Sequence, residues 1–333
     1  PVSVNRMSMD WSETMIVSTP MTSSVGAMAG SVMYRNAPQV DAPSIRAAAL
    51  TRWLERGYGG NMRYLNRQAK KRKDPRIIDR AAARVIVILD NYYYHETDVD
   101  TRIPRTARYS RSVDYHTVTL NRINKLAELL LKHGAKTARP YIDTGPVPER
   151  ELAERAGLGW IGKNTMLLRP GLGSWFVIGS IFTDLPLDID PPTATDHCGS
   201  CTKCLDACPT SAFVEPYVLD ATKCISYLTI EYKSEIPAEL AGQFGGWAFG
   251  CDICNEVCPW NLRFAAESTV PEFRPRGDLR EAGEDFFERM TEVEFQAKFA
   301  DTPLARPGLA RMRRNWRLAW ASLRGVQRRA ATE

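Results

Sequence analysis

The chain has 333 residues, 44 Lys and Arg against 39 Asp and Glu for a formal charge of +5, and 44% apolar residues. That length and balance suit a soluble globular protein with a substantial core and room for two domains. They exclude a membrane-spanning helix, because the greasiest runs, 85–89 and 175–182, are only strand-sized.

Residues 1–43 are rich in Ser, Thr, Met and Val without helical or strand period, and are expected to form a poorly ordered extension. Ser44 is expected to cap a helix that puts Ile45, Ala49, Trp53 and Leu54 on one face and stops at Gly57. A basic segment follows, with Arg63, Arg67, Lys70, Lys71, Arg72, Lys73 and Arg76, and then residues 85–89 read as a buried strand. Asp114 caps a long helix whose apolar residues Val118, Ile123, Leu126, Leu129 and Leu130 recur at three and four, up to Gly134. Residues 137–142 read as a second strand ending at Asp143, and 148–156 as a short helix closed by Gly157. Residues 166–168 and 175–182 are expected to form a hairpin around Pro170-Gly-Leu-Gly173. Strands alternating with helices predict a mixed α/β domain over 44–185.

All eight cysteines lie in two runs and one single position. Cys198-Gly-Ser-Cys201-Thr-Lys-Cys204-Leu-Asp-Ala-Cys208-Pro209 has the spacing by which bacterial ferredoxins hold one four-iron cluster with three thiolates and send the fourth to a second cluster. Cys251-Asp-Ile-Cys254-Asn-Glu-Val-Cys258-Pro259 is the same device one ligand short, and Cys224 is the replacement. The spacing therefore assigns Cys198, Cys201, Cys204 and Cys258 to one [4Fe-4S] cluster and Cys208, Cys224, Cys251 and Cys254 to the other. Zinc ribbons use two CxxC pairs rather than a triplet followed by Cys-Pro, and CxxCxxC crowds thiols too closely for separate disulfides. With no secretory signal in view, the cytoplasm is the expected compartment. The cluster domain is read over 186–263. In 264–333, Pro271, Pro275 and Gly277 mark a linker, Thr291 with Glu294 a capping box, and 304–323 a tryptophan-bearing helical segment. Arg306, Arg311, Arg313, Arg314, Arg317, Arg324, Arg328 and Arg329 crowd that end, and with the first basic segment they point to a polyanionic partner.

Gly157-Leu-Gly159-Trp-Ile-Gly162 satisfies GxGxxG but follows a helix and precedes a strand, the reverse of a dinucleotide fingerprint. Asp143-Thr-Gly-Pro146 places a carboxylate at a strand end, where catalytic groups sit, although turn hydrogen bonding alone also explains an aspartate there.

The segments Ala107-Arg-Tyr-Ser-Arg-Ser-Val-Asp-Tyr-His116, Ile142-Asp-Thr-Gly-Pro-Val-Pro-Glu-Arg150, Ala156-Gly-Leu-Gly-Trp-Ile-Gly-Lys-Asn164 and Cys224-Ile-Ser-Tyr-Leu-Thr229, with the cysteine runs, resemble the epoxyqueuosine reductase family from about 47 to 261. The resemblance implies a cobalamin-binding α/β domain followed by a ferredoxin-like two-cluster domain and a helical C-terminal tail, acting on tRNA in the last step of queuosine synthesis. It implies base-off cobalamin, two [4Fe-4S] clusters, Asp143 as proton donor with a pKa raised by burial, and Arg108, His116, Lys163 and Asn164 lining the cobalamin cavity. Ser226 and Lys233 would lie where tRNA approaches, and a flavodoxin or ferredoxin would donate electrons to a monomer. The helix and first strand with which this family opens have no recognisable counterpart in residues 1–40, and the C-terminus lacks the helical-repeat extension of longer members. Competing expectations are a reductive dehalogenase-like cobalamin and iron–sulfur enzyme, a ferredoxin-like electron carrier, which would bind no corrinoid, and a pure tRNA-binding module.

Overall fold

The apolar runs of the first half meet in one sheet. The structure, a computed structural model, describes residues 32–36, 43–96, 100–193 and 195–330. Strand β1 (Val32–Asn36) precedes helices α1 (Ala47–Glu55) and α2 (Arg63–Lys73). There follow β2 (Arg84–Asn91), β3 (Arg105–Thr106), α3 (Tyr115–Lys132), β4 (Ala138–Ile142), α4 (Glu149–Arg155), β5 (Trp160–Ile161), β6 (Leu167–Leu168) and β7 (Phe176–Thr183). Among the described residues four strands form a sheet in the order β1-β2-β7-β4, with every neighbouring pair antiparallel. Val85, Val87 and Leu89 pack against Leu152 and Ala153 of α4, while Ile86 and Ile88 pack against Ile123, Leu126 and Leu130 of α3. A strand covered on both faces reads as an unbroken apolar run for this reason, and each such side chain contributes about 1.5–3 kcal/mol by leaving water. No helix among the described residues is long and apolar enough to cross a membrane.

The cysteine region is built of short pieces: α5 (Lys203–Asp206), β8 (Phe213–Glu215), β9 (Val218–Leu219), α6 (Ile225–Ile230), α7 (Ala238–Ala241), β10 (Trp247–Phe249), α8 (Ile253–Glu256) and α9 (Pro259–Phe264). Helices α5 and α8 each sit between cysteines and pack on one another. Strand β10 pairs in parallel with β3 of the first half, and the Arg105 guanidinium lies 4.3 Å from the Trp247 ring centre. Helix α1 and the turn after it lean the same way, with the Trp53 indole donating to the Leu219 carbonyl at 2.6 Å and the Asn61 N–H to the Tyr227 hydroxyl at 2.7 Å. The chain closes with α10 (Phe286–Arg289), α11 (Glu292–Phe299) and α12 (Leu309–Ala330), around a core of Phe287, Phe295, Phe299 and Trp316.

Several expectations need correction. A strand, β1, lies at 32–36 inside the supposed disordered extension; the remainder of 1–42 falls outside the described residues. Ser44 does not cap α1 directly: its hydroxyl donates to Glu151 and accepts the Arg46 N–H at 3.1 Å, so the helix starts a turn later. The expected hairpin does not form, because β6 pairs with β5 and β7 pairs with β2 and β4; an isolated bridge, Arg169 with Gly173, closes the turn instead. The linker around Pro271 is packed, with Val270 and Phe273 buried against Tyr92 and Trp175. The capping box of Thr291 and Glu294 is present.

Candidate active site

Asp143 ends β4 with φ +40°, a left-handed conformation uncommon for a residue with a side chain. Its neighbours hold it there. The Asp143 N–H donates to Glu149 Oε1 at 2.7 Å, and Arg72 of α2 donates to the carbonyls of Gly145 and Val147 at 3.0 Å each. Asp143 Oδ2 accepts from the Tyr115 hydroxyl at 2.7 Å and lies 3.2 Å from His116 Nε2. The other ring nitrogen of His116 meets Asp114 Oδ1 at 2.8 Å, and Asp114 also accepts the His116 N–H as the cap of α3. Tyr115 stacks on His116, and Arg306, paired with Glu231 at 2.6 Å, adds positive charge nearby.

The Asp143 side chain is 50% accessible, yet burial is the largest single influence on its acidity. Burial pushes the carboxyl up, but the bonds from His116 and Tyr115 outweigh it and hold Asp143 below its ordinary value. The expectation of a raised Asp143 is thus overturned: the group is a carboxylate at rest. Burial opposes charge on His116, but its bonds to Asp114 and Asp143 carry it to about 9. Burial and the Asp143 charge lift Glu149 to about 8. At neutral pH the protons of this site therefore reside on His116 and Glu149. Glu149, Tyr115, Arg72 and Arg306 were not foreseen in these roles.

The eight cysteines are free thiols. Cys204 feels Cys258, Cys198 and Cys201, and its thiol is pushed up to about 11, first by burial and then by them. Cys251 and Cys254 are raised chiefly by burial and also by Cys224, with Cys208 acting on both Cys251 and Cys224. These influences run within the sets that the spacing groups together, except that Cys254 also feels Cys204. N–H groups of Ser226 and Tyr227 point at the Cys224 sulfur, that of Ile253 at Cys251, and that of Ala212 at Cys208 at 3.4 Å. Among the described residues no three or more His, Cys, Asp or Glu converge on a single-ion site; thiolates at the corners of a cubane stand further apart than that. Soft donors in two groups of four, ringed by amide N–H, fit four-iron clusters.

The other anticipated residues are spread between these centres. The Arg108 N–H donates to Asp252 Oδ2 at 2.7 Å, its guanidinium to the Tyr94 carbonyl at 3.1 Å, and its Nε is buried without a partner. The Lys163 ammonium holds the carbonyls of Gly199 and Cys201 at 2.6 and 3.0 Å, and Asn164 lies 3.4 Å from the Cys254 carbonyl. Both therefore brace the cysteine loops, and none of these contacts reaches Asp143. Ser226 sits beside Cys224 at the start of α6, while Lys233 is exposed beyond its end. The glycines of 157–162 serve packing: a Cβ on Gly159 would come within 2.0 Å of the Leu168 carbonyl oxygen.

The Asp143 carboxylate, the His116 ring and the Tyr115 hydroxyl meet at one point, polar groups that a corrinoid bound there would contact.

A family model described as "4Fe-4S double cluster binding domain" matches residues 197–261, and one described as "Epoxyqueuosine reductase QueG, DUF1730" matches 72–144. Epoxyqueuosine reductase of Cellulophaga algicola is 41% identical over 270 residues, 81% of this chain and 87% of that protein. A crystal structure of epoxyqueuosine reductase with an epoxyqueuosine-modified tRNA-Tyr stem loop superposes with a TM-score of 0.78 at 31% identity, covering 89% of this chain and 78% of that one. The Bacillus subtilis epoxyqueuosine reductase, solved with an aspartate-bearing catalytic loop swung out of its active site, superposes at 0.76 with the same identity and coverage.

Proposed function

The chain belongs to the epoxyqueuosine reductase family, and from that premise we propose that it reduces epoxyqueuosine in a tRNA anticodon loop to queuosine. Removing the epoxide oxygen as water to leave an alkene takes two electrons and two protons. Cobalamin and two four-iron clusters, when bound, would supply the electrons, which an external flavodoxin or ferredoxin would provide. The quartets Cys198, Cys201, Cys204, Cys258 and Cys208, Cys224, Cys251, Cys254 would hold the clusters, and Asp143, His116, Arg108, Lys163 and Asn164 would line the corrinoid site. All these residues come from one chain, which suits a monomer. Bacillus subtilis epoxyqueuosine reductase has a catalytic loop named for an aspartate, which supports the same role for the loop of Asp143.

The observation that carries the reading is the Asp114–His116–Asp143 line with Tyr115 on the same oxygen. The oxygen released from a strained ring needs a proton as its bond opens. The Asp143 side chain is half exposed, and His116, charged at neutral pH, lies 3.2 Å from its Oδ2. His116 passes its proton to Asp143 as Asp143 protonates the departing oxygen, so one proton leaves the imidazolium and the carboxylate ends as it began; Asp114 keeps the imidazole oriented, and Tyr115 fixes the carboxylate rotamer. This delivers the acid the chemistry needs from a carboxylate that is ionised at rest. A flipped-out base needs its phosphates held, and the exposed residues Arg63, Arg67, Lys70 and Lys71 of α2, with Ser226 and Lys233, would do so. A tRNA substrate would put the reaction in the cytoplasm.

The test is anaerobic reconstitution with iron, sulfide and cobalamin, followed by conversion of epoxyqueuosine-containing tRNA. Asp143→Asn should retain iron and corrinoid and lose about 10²–10⁴-fold in turnover, the range of general-acid catalysis. Undiminished turnover would remove Asp143 from the reaction.

A further inference from the structure

Trp160, on β5, is 2% exposed, and its indole N–H is buried with no hydrogen-bond partner, sulfur included. A buried unpaired donor of this kind costs about 1–3 kcal/mol. The side chain is packed in a cluster with Cys258 and Cys198, one cysteine from each run, and is wedged edge-on against His197 and Trp260 at 4.9 and 4.8 Å. The backbone after it runs equally close, since a Cβ on Gly162 would lie 3.3 Å from Cys198 Sγ. The indole is thus a buried, unpaired donor packed against two of the cysteines assigned to the first cluster, and sulfur is a large, soft acceptor that takes a longer bond than oxygen does.

The second quartet has a different surround. The buried carboxylate of Asp252 stands beside Cys251 and Cys254. Adding an electron to a cluster adds negative charge, which hydrogen bonds to sulfur and nearby cations favour and a neighbouring carboxylate opposes. We propose that Trp160 donates its N–H to the sulfur of the cluster held by Cys198, Cys201, Cys204 and Cys258, and that this bond, with the Lys163 ammonium on the same loop, sets that cluster at the higher potential of the two. The first quartet is then the one that fills first, and the second is the stronger reductant.

The proposal rests on reading the eight cysteines as two four-iron sites, and iron content separates the two claims. Reconstituted wild-type protein should hold eight irons per chain and show two distinct reduction steps by electron paramagnetic resonance; a chain holding four or fewer would overturn the reading and the proposal with it. In protein with eight irons, Trp160→Phe, which keeps an aromatic ring and removes the donor, should make one cluster alone about tenfold harder to reduce, 59 mV for one electron. Both potentials unmoved would leave Trp160 as packing only and overturn the proposal. A second measurement needs no variant: protein labelled with ¹⁵N in its tryptophan indoles should show a nitrogen hyperfine coupling to the cluster that reduces first. A coupling absent from that cluster would overturn the proposal even if Trp160→Phe failed to fold.

Discussion

Glu149 accepts the Asp143 N–H while burial and the Asp143 charge raise its own carboxyl from 4.5 to about 8. The folded protein thus binds a proton that the unfolded chain releases, and stability falls as pH rises from about 4.5 to 8. Glu149→Gln keeps an accepting carbonyl and removes the titration, so the thermal midpoint of this variant should vary less over that window. A slope equal to wild type would assign the dependence to other groups. His116 is raised from 6.5 to about 9, so its contribution is complete below 6.5 and lost as pH climbs through 9. Turnover should fall along the same alkaline limb, since the proton Asp143 draws on is then gone. Asp143 itself was legible in the sequence, as a carboxylate at a strand end on a Gly-Pro loop. Its acidity was not, because the groups that set it, Tyr115 and His116, lie 28 and 27 positions away and meet it only after α3 packs on the sheet. Trp160 was equally hidden: within GxGxxG it reads as filler, and only folding turns its indole toward a thiol.

At the scale of elements, the two basic segments part company. Helix α2 exposes Arg63, Arg67, Lys70 and Lys71, whereas Arg72 is turned inward onto the Asp143 loop. The arginines of the C-terminal segment are largely spent on carbonyls: Arg311 on Ile230, Arg313 on Phe287 and Met290, Arg314 on Leu228, Tyr232 and Ser234. Replacing the four exposed residues of α2 by Ala should weaken tRNA binding and lower its salt slope by about one for each phosphate that is no longer neutralised. An unchanged slope would make α2 an ordinary solvated face. Arg314→Ala should instead lower the thermal midpoint, because it strands several buried carbonyls. Long periodic elements such as α3 were readable, as was the capping box of α11. The hairpin expected at β6 and β7 failed because turn residues mark a bend without naming the partner, and β7 found its ladder with β2 and β4, remote in sequence. Residues 32–36 carry too little alternation to be recognised as a strand before β2 offers its edge.

For the whole molecule, the two halves that composition separates near residue 186 are joined by more than a linker. Strand β3 pairs with β10, and Ala107 of the first half shares a core with Ile225, Tyr227, Phe244 and Trp247 of the second. The double-cluster region was legible because a ligand spacing is local; the β3–β10 join was not, because two residues of strand carry no signal of their own. Helix α12 adds a further lock. Arg314 and Asn315 grip the carbonyls of Leu228, Tyr232, Ser234 and Thr229, on and just after α6, the helix that begins at Cys224. A chain synthesised from its N-terminus has all eight thiols in place about fifty residues before Arg314 is made, an interval of several seconds at ordinary rates. If the clusters are built on the growing chain, iron and sulfide meet it before this grip can form, and α12 closes on α6 afterwards. Full-length protein refolded with iron and sulfide already present should fill faster than apo-protein folded first and supplied afterwards, and equal rates would show that the latch never hinders entry.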